Sequence, residues 1–203
     1  QAAGVWYATA DCINEGSCPI TAPCNIQRAV SQAASGDTIY LESGTYTASN
    51  DADPRVIWIT KNLTLTGSCD FSSGSAVCSQ DNDPSIINGE GKRRVIHVQI
   101  ASDLGEVELN FLHIIGGNGN GAAGCTSSGP YTTTGCGGGI LWIDGTGANI
   151  LRVNSCKFWA NFGSYQNAPA AEAGFGGGIY FSSLGGTLEV SKTFFQQNAA
   201  ARY

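Results

Sequence analysis

The chain has no methionine, only two histidines, and ten basic residues against sixteen acidic ones. Each shortage excludes something. Without Met, Gln1 is read as a processed N-terminus, the simplest processing being removal of a secretory signal. A net charge of −6 makes the surface repel phosphate backbones and anionic lipid, which argues against nucleic-acid and membrane partners. No apolar run approaches the roughly 20 residues that cross a bilayer, so membrane insertion is not expected. Six prolines beside 28 glycines do not make a collagen-like or proline-rich chain. None of the cysteines has the CxxC spacing of a zinc ribbon or a dithiol redox site, so no metal or cofactor is expected from them.

What is present starts with those cysteines. Positions 12, 18, 24, 69, 78, 125, 136 and 156 form an even set, the signature of an oxidising, extracellular compartment. The short loops Cys69 to Cys78 and Cys125 to Cys136 are the expected bridges. Cys156 lies inside an apolar strand pattern, where a free buried thiol is the alternative.

Along the chain, Val5-Trp6-Tyr7 reads as a short strand, followed by a cysteine-bearing loop. Ile26, Ala29, Val30, Ala33 and Ala34 then follow the i, i+3, i+4, i+7, i+8 spacing of a helix that starts near Pro23 and stops at Gly36. Its apolar stripe is wide enough to cover the open end of a sheet stack. Beyond Gly36 the apolar segments are short, β-branched or aromatic, and separated by Gly, Asn, Asp and Ser, as strands are.

Two segments are copies of each other. Gly137-Gly138-Gly139-Ile140 returns as Gly176-Gly177-Gly178-Ile179, a shift of 39. Leu151-x-Val153 returns as Leu188-x-Val190, and Phe158 and Asn161 return as Phe195 and Asn198, each a shift of 37. A period near 40 with several strands per repeat indicates a solenoid or a propeller. Earlier copies fall into the same columns, Ile57-Trp58-Ile59 and Ile96-His97-Val98 in the first, Leu63-x-Leu65 and Val107-x-Leu109 in the second. Ile86-Ile87 and Leu112 to Ile115 stand in the column of Phe158. A propeller would need hairpin-joined strands, and no regular two-residue hairpin turns occur.

The expected fold is therefore all-β, a right-handed parallel β-helix of about four coils in one domain spanning 1–203. Residues 1–36 supply the N-terminal strand, loop and capping α-helix, and 37–203 the coils. The sequence resembles the pectin-lyase-like right-handed β-helices, in particular bacterial cell-surface proteins with polymorphic-outer-membrane-protein-like repeats. Cys24-Asn25-Ile26-Gln27-Arg28-Ala29-Val30, Gly36-Asp37-Thr38-Ile39-Tyr40-Leu41, Gly44-Thr45-Tyr46, Lys61-Asn62-Leu63-Thr64-Leu65-Thr66-Gly67 and the two Gly-Gly-Gly-Ile copies carry the resemblance. It implies a fold that hosts lyases, hydrolases, adhesins and spacers alike.

The resemblance also implies how enzymes of this fold work, with calcium-binding acids and an Arg or Lys base, or with two or three Asp. No strand here carries two acids. Asp51, Asp53, Asp81 and Asp83 lie in two Asp-x-Asp-Pro loops that turn different corners, so they are weak calcium candidates and are read as Asx-type turns. His97 and His113 have no acid, Ser or Cys nearby in sequence and are read as solvent-facing strand residues. Arg93-Arg94 is read as a solvated turn-flanking pair, Gly116 to Gly121 as a loop, and Asn62 as a corner residue rather than a glycosylation site.

Two functional features remain. Alternation places Trp58, His97, Leu141 and Tyr180 in one outward column, either a face for sugar rings or a protein partner, or a satellite core beneath a loop. Second, nothing like the helix follows the last coil. Ile179, Phe181, Leu188, Val190, Phe194 and Phe195 therefore form an exposed apolar end with unpaired strand edges. Leu151, Val153, Leu188 and Val190 are all expected to be inward core residues. Such an end belongs either to a fragment of a longer β-helix or to a chain covered there by another, and the expected function is a non-enzymatic extracellular structural or adhesion protein, completed through that end by a neighbouring copy in a filament or surface array. Val5, Trp6 and Tyr7 either pair within their own first coil or insert into the neighbour. The rival readings are a polysaccharide lyase and a carbohydrate-binding module.

Overall fold

The computed structural model describes residues 3–12, 17–101, 104–119, 136–143, 147–163 and 176–200. Among them are sixteen strands and one helix, so the chain is all-β with a short helical segment. Strand β1 (Val5–Ala8) precedes helix α1 (Ile26–Gln32), and β2 (Asp37–Glu42), β3 (Gly44–Tyr46) and β4 (Arg55–Ile59) follow. Next come β5 (Leu63–Asp70), the short β6 (Val77–Cys78), β7 (Ser85–Asn88) and β8 (Arg94–Val98). The third set is β9 (Glu106–Asn110), β10 (Leu112–Ile115) and β11 (Ile140–Ile143). The last strands are β12 (Ile150–Asn154), β13 (Lys157–Trp159), β14 (Ile179–Ser182), β15 (Thr187–Ser191) and β16 (Phe194–Gln196).

The chain visits three parallel sheets in rotation. The first runs β1-β2-β5-β9-β12-β15, the second β3-β7-β10-β13-β16, and the third β4-β8-β11-β14. Every pairing is parallel except the hairpin of β5 with β6, which carries the Cys69–Cys78 disulfide. Because partners one circuit apart share a register, like side chains stack. Ile39, Leu65, Leu109, Val153 and Val190 form one inward column. Tyr46, Ile87, Ile114, Phe158 and Phe195 form another, and Ile57, Ile96, Ile140 and Ile179 a third. Apart from Val190 and Phe195 in the last circuit, these columns make one continuous apolar core, with Ile179 packed against it. A short strand cannot bury an apolar face alone; stacking supplies the burial that each circuit lacks.

The helix is shorter than its apolar spacing suggests. Asn25, not Pro23, starts it, its Oδ1 accepting from the Arg28 amide at 2.8 Å. Ile26, Ala29, Val30 and Ala33 are buried while Ala34 is exposed. The turn beyond it is held by Asp37, whose carboxylate accepts from the amides of Ala34 and Gly4 and from Trp6 Nε1 at 2.6–2.7 Å. Burial pushes the Asp37 carboxyl up, but those three donors outweigh it and hold the group below its ordinary value. Helix α1 packs against β4, where Gln27 Oε1 accepts from the Trp58 amide at 3.0 Å.

The Val5–Tyr7 segment pairs with β2 of its own chain. Its other edge is also taken, since Tyr7 and Thr9 donate to Cys18 and Cys24 carbonyls and Cys24 donates back to Tyr7. A Cys18–Cys24 disulfide closes that covering segment. Val5, Trp6 and Tyr7 thus pair within their own first coil, with Tyr7 held on its second edge as well.

The Gly-Gly-Gly copies have a steric origin. Gly137 and Gly176 adopt left-handed φ of 62° and 57°, where a β-carbon is costly. Gly138 and Gly177 lie against the backbones of Phe162 and Ala199, leaving no room for a side chain. The trailing Asn copies complete that corner. Asn161 Nδ2 donates to Ile114 O and to Asn198 Oδ1, and its own Oδ1 accepts from the Gly117 amide. Asn198 Nδ2 repeats the pattern one circuit on, donating to Phe158 O at 2.9 Å.

Candidate functional site

The third sheet brings Trp58, His97, Leu141 and Tyr180 into direct register. They do not form an open face. Only Trp58 is exposed, whereas His97 and Leu141 are buried. Leu141 packs with Cys136, and Ile143 and Tyr180 lean on the pair as a small second core. Cys136 is disulfide-bonded; the expected partner, Cys125, lies outside the described residues.

His97 is a correction to the solvent-facing reading. Its Nδ1 accepts from Arg55 Nη1 at 3.0 Å, because a guanidinium can only donate. Burial, and then the positive charges of Arg94 and Arg55, push its pKa down to about 4. The ring is therefore neutral at pH 7. The Arg55 guanidinium lies 4.2 Å over the Trp58 ring, so the one exposed indole of the column has a cation on its face.

Arg93 and Arg94 are likewise buried rather than solvated. Arg94 donates to the carbonyls of Gly137 and Cys136 at 2.9 and 2.8 Å, and burial followed by the Arg55 charge lowers its pKa to about 10. Arg93 ties down the first Asp-x-Asp loop, donating to Asn50 O and Asp53 O and pairing with Asp51 at 3.1 Å and Glu90 at 3.3 Å. Asp51 is held below the usual carboxylate range by Arg93 and then Lys92. The second loop lies elsewhere. Asp81 and Asp83 line a recess with Glu42 and Asp70. Asp51 and Asp53 thus do not meet Asp81 and Asp83. Asn62 Oδ1 accepts from the Glu106 amide at 3.0 Å, the corner role expected of it.

The end formed by β14, β15 and β16 differs from the rest. Each is the last strand of its sheet, so one side of its backbone has no strand partner among the described residues. Leu188 and Val190 hold the register of Leu151 and Val153 but are 40% and 44% exposed, which corrects the expectation that they are core. Phe194 and Phe195 are 73% and 49% exposed, and Ile179 and Phe181 are partly covered. Position in the repeat fixed where these side chains point; their exposure follows from having no further strand layer over them among the described residues.

A face on the second sheet was not anticipated from sequence. His113, Lys157 and Phe194 stand in one outward column, with Ile115, Trp159 and Gln196 in the next. Trp159 is exposed and Lys157 lies 5.9 Å from its ring. Beside this face runs a groove of about 280 Å³ along the corner between the first two sheets. At that corner Ser68, Phe111, Ser155 and Lys192 all take left-handed φ near 50°. Alternation within β10 and β13 shows which residues point outward, but nothing in the sequence shows that Lys192 and Gln80 reach the same groove.

Cys69–Cys78 and Cys18–Cys24 are disulfides, a feature of oxidising compartments. Cys156 is a free thiol, buried, with its pKa pushed up by burial to about 12. No helix among the described residues is long and apolar enough to cross a membrane. No protein-family model, curated protein or solved structure matches the chain.

Proposed function

We propose that the chain is a right-handed parallel β-helix of the pectin-lyase-like type, secreted, and working as a non-enzymatic structural or adhesion module whose open end is covered by a second copy. The exposed apolar edge of β14, β15 and β16 carries this reading. Water can satisfy those backbone groups only while also wetting Leu188, Val190 and Phe195, and natural proteins normally hide such an edge.

The other end is different, because α1 and the 17–24 segment lie over β4 and β1. Simple head-to-tail stacking has no free acceptor there. Two copies therefore meet through their open ends in an isologous, two-fold contact, and a filament or array needs a further lateral contact. The edge also has directional chemistry to offer. Glu189 pairs with Arg152 at 2.8 Å, and Arg152 pairs also with Glu106, so a basic residue set over Glu189 would extend the alternation.

Light scattering over a concentration series tests the reading. The parent chain is expected to dimerise or polymerise, and Leu188→Lys to stay monomeric with its fold intact. A parent that remains monomeric at millimolar concentration rules out completion by a second copy. The rival reading, a polysaccharide lyase or other carbohydrate-active enzyme, is tested by incubation with pectin and alginate with and without calcium. Release of unsaturated sugars that is lost on changing Asp81 would establish it.

A further inference from the structure

We infer that the corner groove beside the second sheet is a binding site for an acidic, extended polypeptide segment. It runs along the side of the stack, across the circuits of Ser68, Phe111 and Ser155, and only Lys192 and Phe194 of its lining belong to the final circuit whose end contact is proposed above.

The charge inside the groove is opposite in sign to that of the whole chain. Lys157, Lys192 and His113 line it, and no carboxylate does, although the protein carries −6 overall. Neither lysine forms an ion pair with any described residue, and the His113 ring makes no hydrogen bond with one. Three cationic or protonatable groups are thus held together on β10, β13 and the corner after β15 without an ion-pair partner among the described residues. Burial, and then Lys157, lower the His113 pKa. An anion placed between them would reverse that second effect. Glu42, Asp70, Asp81 and Asp83 line a neighbouring recess, and Asn82 borders both.

The remaining lining decides between a peptide and a sugar. Several neutral hydrogen-bonding groups of the groove are already engaged. Ser68 Oγ donates to Phe111 O, Asn82 Nδ2 donates to Ser68 O and Val77 O, and Ser155 Oγ donates to Asn154 Oδ1. A hydroxyl-dense ring would find few free partners. What stays available is the cationic groups, the apolar surfaces of Phe111, Pro84 and Phe194, and a single neutral amide pair from Gln80 and the Asn82 side-chain oxygen. Carboxylates alternating with apolar side chains match that lining better than a neutral, hydroxyl-dense sugar chain does. The groove crosses the strands, running from Ser68 past Phe111 and Ser155 to Lys192. At ~4.8 Å per layer, three steps span about 14 Å, the reach of four or five extended residues.

The test uses the whole chain and a fluorescent Glu-Phe-Glu-Leu-Glu peptide, with its Lys-for-Glu counterpart, inorganic sulfate and a galacturonate tetramer as comparison probes. The acidic peptide is expected to bind saturably and to raise the His113 pKa, followed through its ring protons by NMR. His113→Gln with Lys157→Gln, both below the final circuit, is expected to weaken binding at least tenfold while light scattering shows association unchanged. Leu188→Lys is expected to do the reverse. Equal binding of the basic peptide, no saturable binding, or sulfate binding as tightly as the peptide would overturn the site. Tighter binding of the galacturonate tetramer would overturn the polypeptide assignment.

Discussion

The circuit of β11, β12 and β13 and the circuit of β14, β15 and β16 share one repeated sequence pattern but sit in opposite environments. Ile140, Leu151, Val153 and Phe158 are buried, while their register partners are partly or largely exposed. Phe195 stacks on Phe158 at 4.7 Å, so its lower face is covered and its upper face is not. The repeat therefore encodes strand direction and register, and burial comes only from what stacks above. Substitutions made in pairs, one per circuit, measure that difference.

The largest expected contrast is Val153→Asp against Val190→Asp. An unpaired charge at Val153 lies between Leu109 and Val190, and it should leave no cooperative unfolding transition, because more than 4–5 kcal/mol is lost. Val190→Asp should still melt cooperatively, at a cost of about 1 kcal/mol or less when the chain is dilute. If the two variants behave alike in calorimetry, the inward face has been misassigned.

Phe158→Ala against Phe195→Ala comes next. Emptying the Phe158 site should cost about 3–5 kcal/mol, read from urea midpoints. Phe195→Ala should cost less than half of that, unless the chain is concentrated enough to associate, when the gap should narrow.

The third contrast is one of pH. His97 is held at about 4 against roughly 6.5 when unfolded, so the unfolded chain takes up the proton first. Its contribution is complete above about pH 6.5 and is lost as pH falls toward 4. The loss is up to about 3 kcal/mol from a shift of that size. His97→Gln should flatten this part of the stability profile. The open circuit has Tyr180 in that column, and Tyr180→Phe should leave the acid limb untouched. An unchanged acid limb in His97→Gln would place the titrating group elsewhere.

The smallest expected effect separates Asn161→Ala from Asn198→Ala. Asn161 is fully buried and bonds to Ile114, Gly117 and Asn198, so its loss should cost about 1–3 kcal/mol. Asn198 is half-buried and should cost less, unless a covering layer makes the two equal. Thermal melts at two protein concentrations distinguish these outcomes.

Much of the arrangement was legible beforehand, for reasons visible in particular residues. Leu63, Val107, Leu151 and Leu188 fall in one register column, as their shared Leu/Val-x-Leu/Val pattern indicated. Trp58, His97, Leu141 and Tyr180 also stack as alternation required, and Cys69 bridges Cys78. The first circuit was harder to align because stacked partners are unevenly spaced, 26 residues from Ile39 to Leu65 and 44 from Leu65 to Leu109. Loops between circuits vary freely in length, and a fixed period does not survive them.

Exposure was misjudged wherever it depended on a neighbour distant in sequence. His97 was expected to be wet because strand alternation turned it outward, and Arg94 because its pair with Arg93 was read as flanking a turn. Arg55, 42 residues from His97, and the carbonyls of Cys136 and Gly137 close over them. The basic groove could not be read at all, since Gln80, His113, Lys157 and Lys192 share no motif and meet only at a corner.

The sequence by itself determined strand identity, inward and outward alternation, the columns and the glycine corners, because these follow from side-chain size and from backbone geometry within a few residues. Only the tertiary structure decided which outward residues are buried, which charges lack a counter-charge, and how far the inward residues of the last circuit are exposed. Those properties depend on how loops of unequal length close over neighbouring layers and on whether a further layer lies above, and local pattern carries neither.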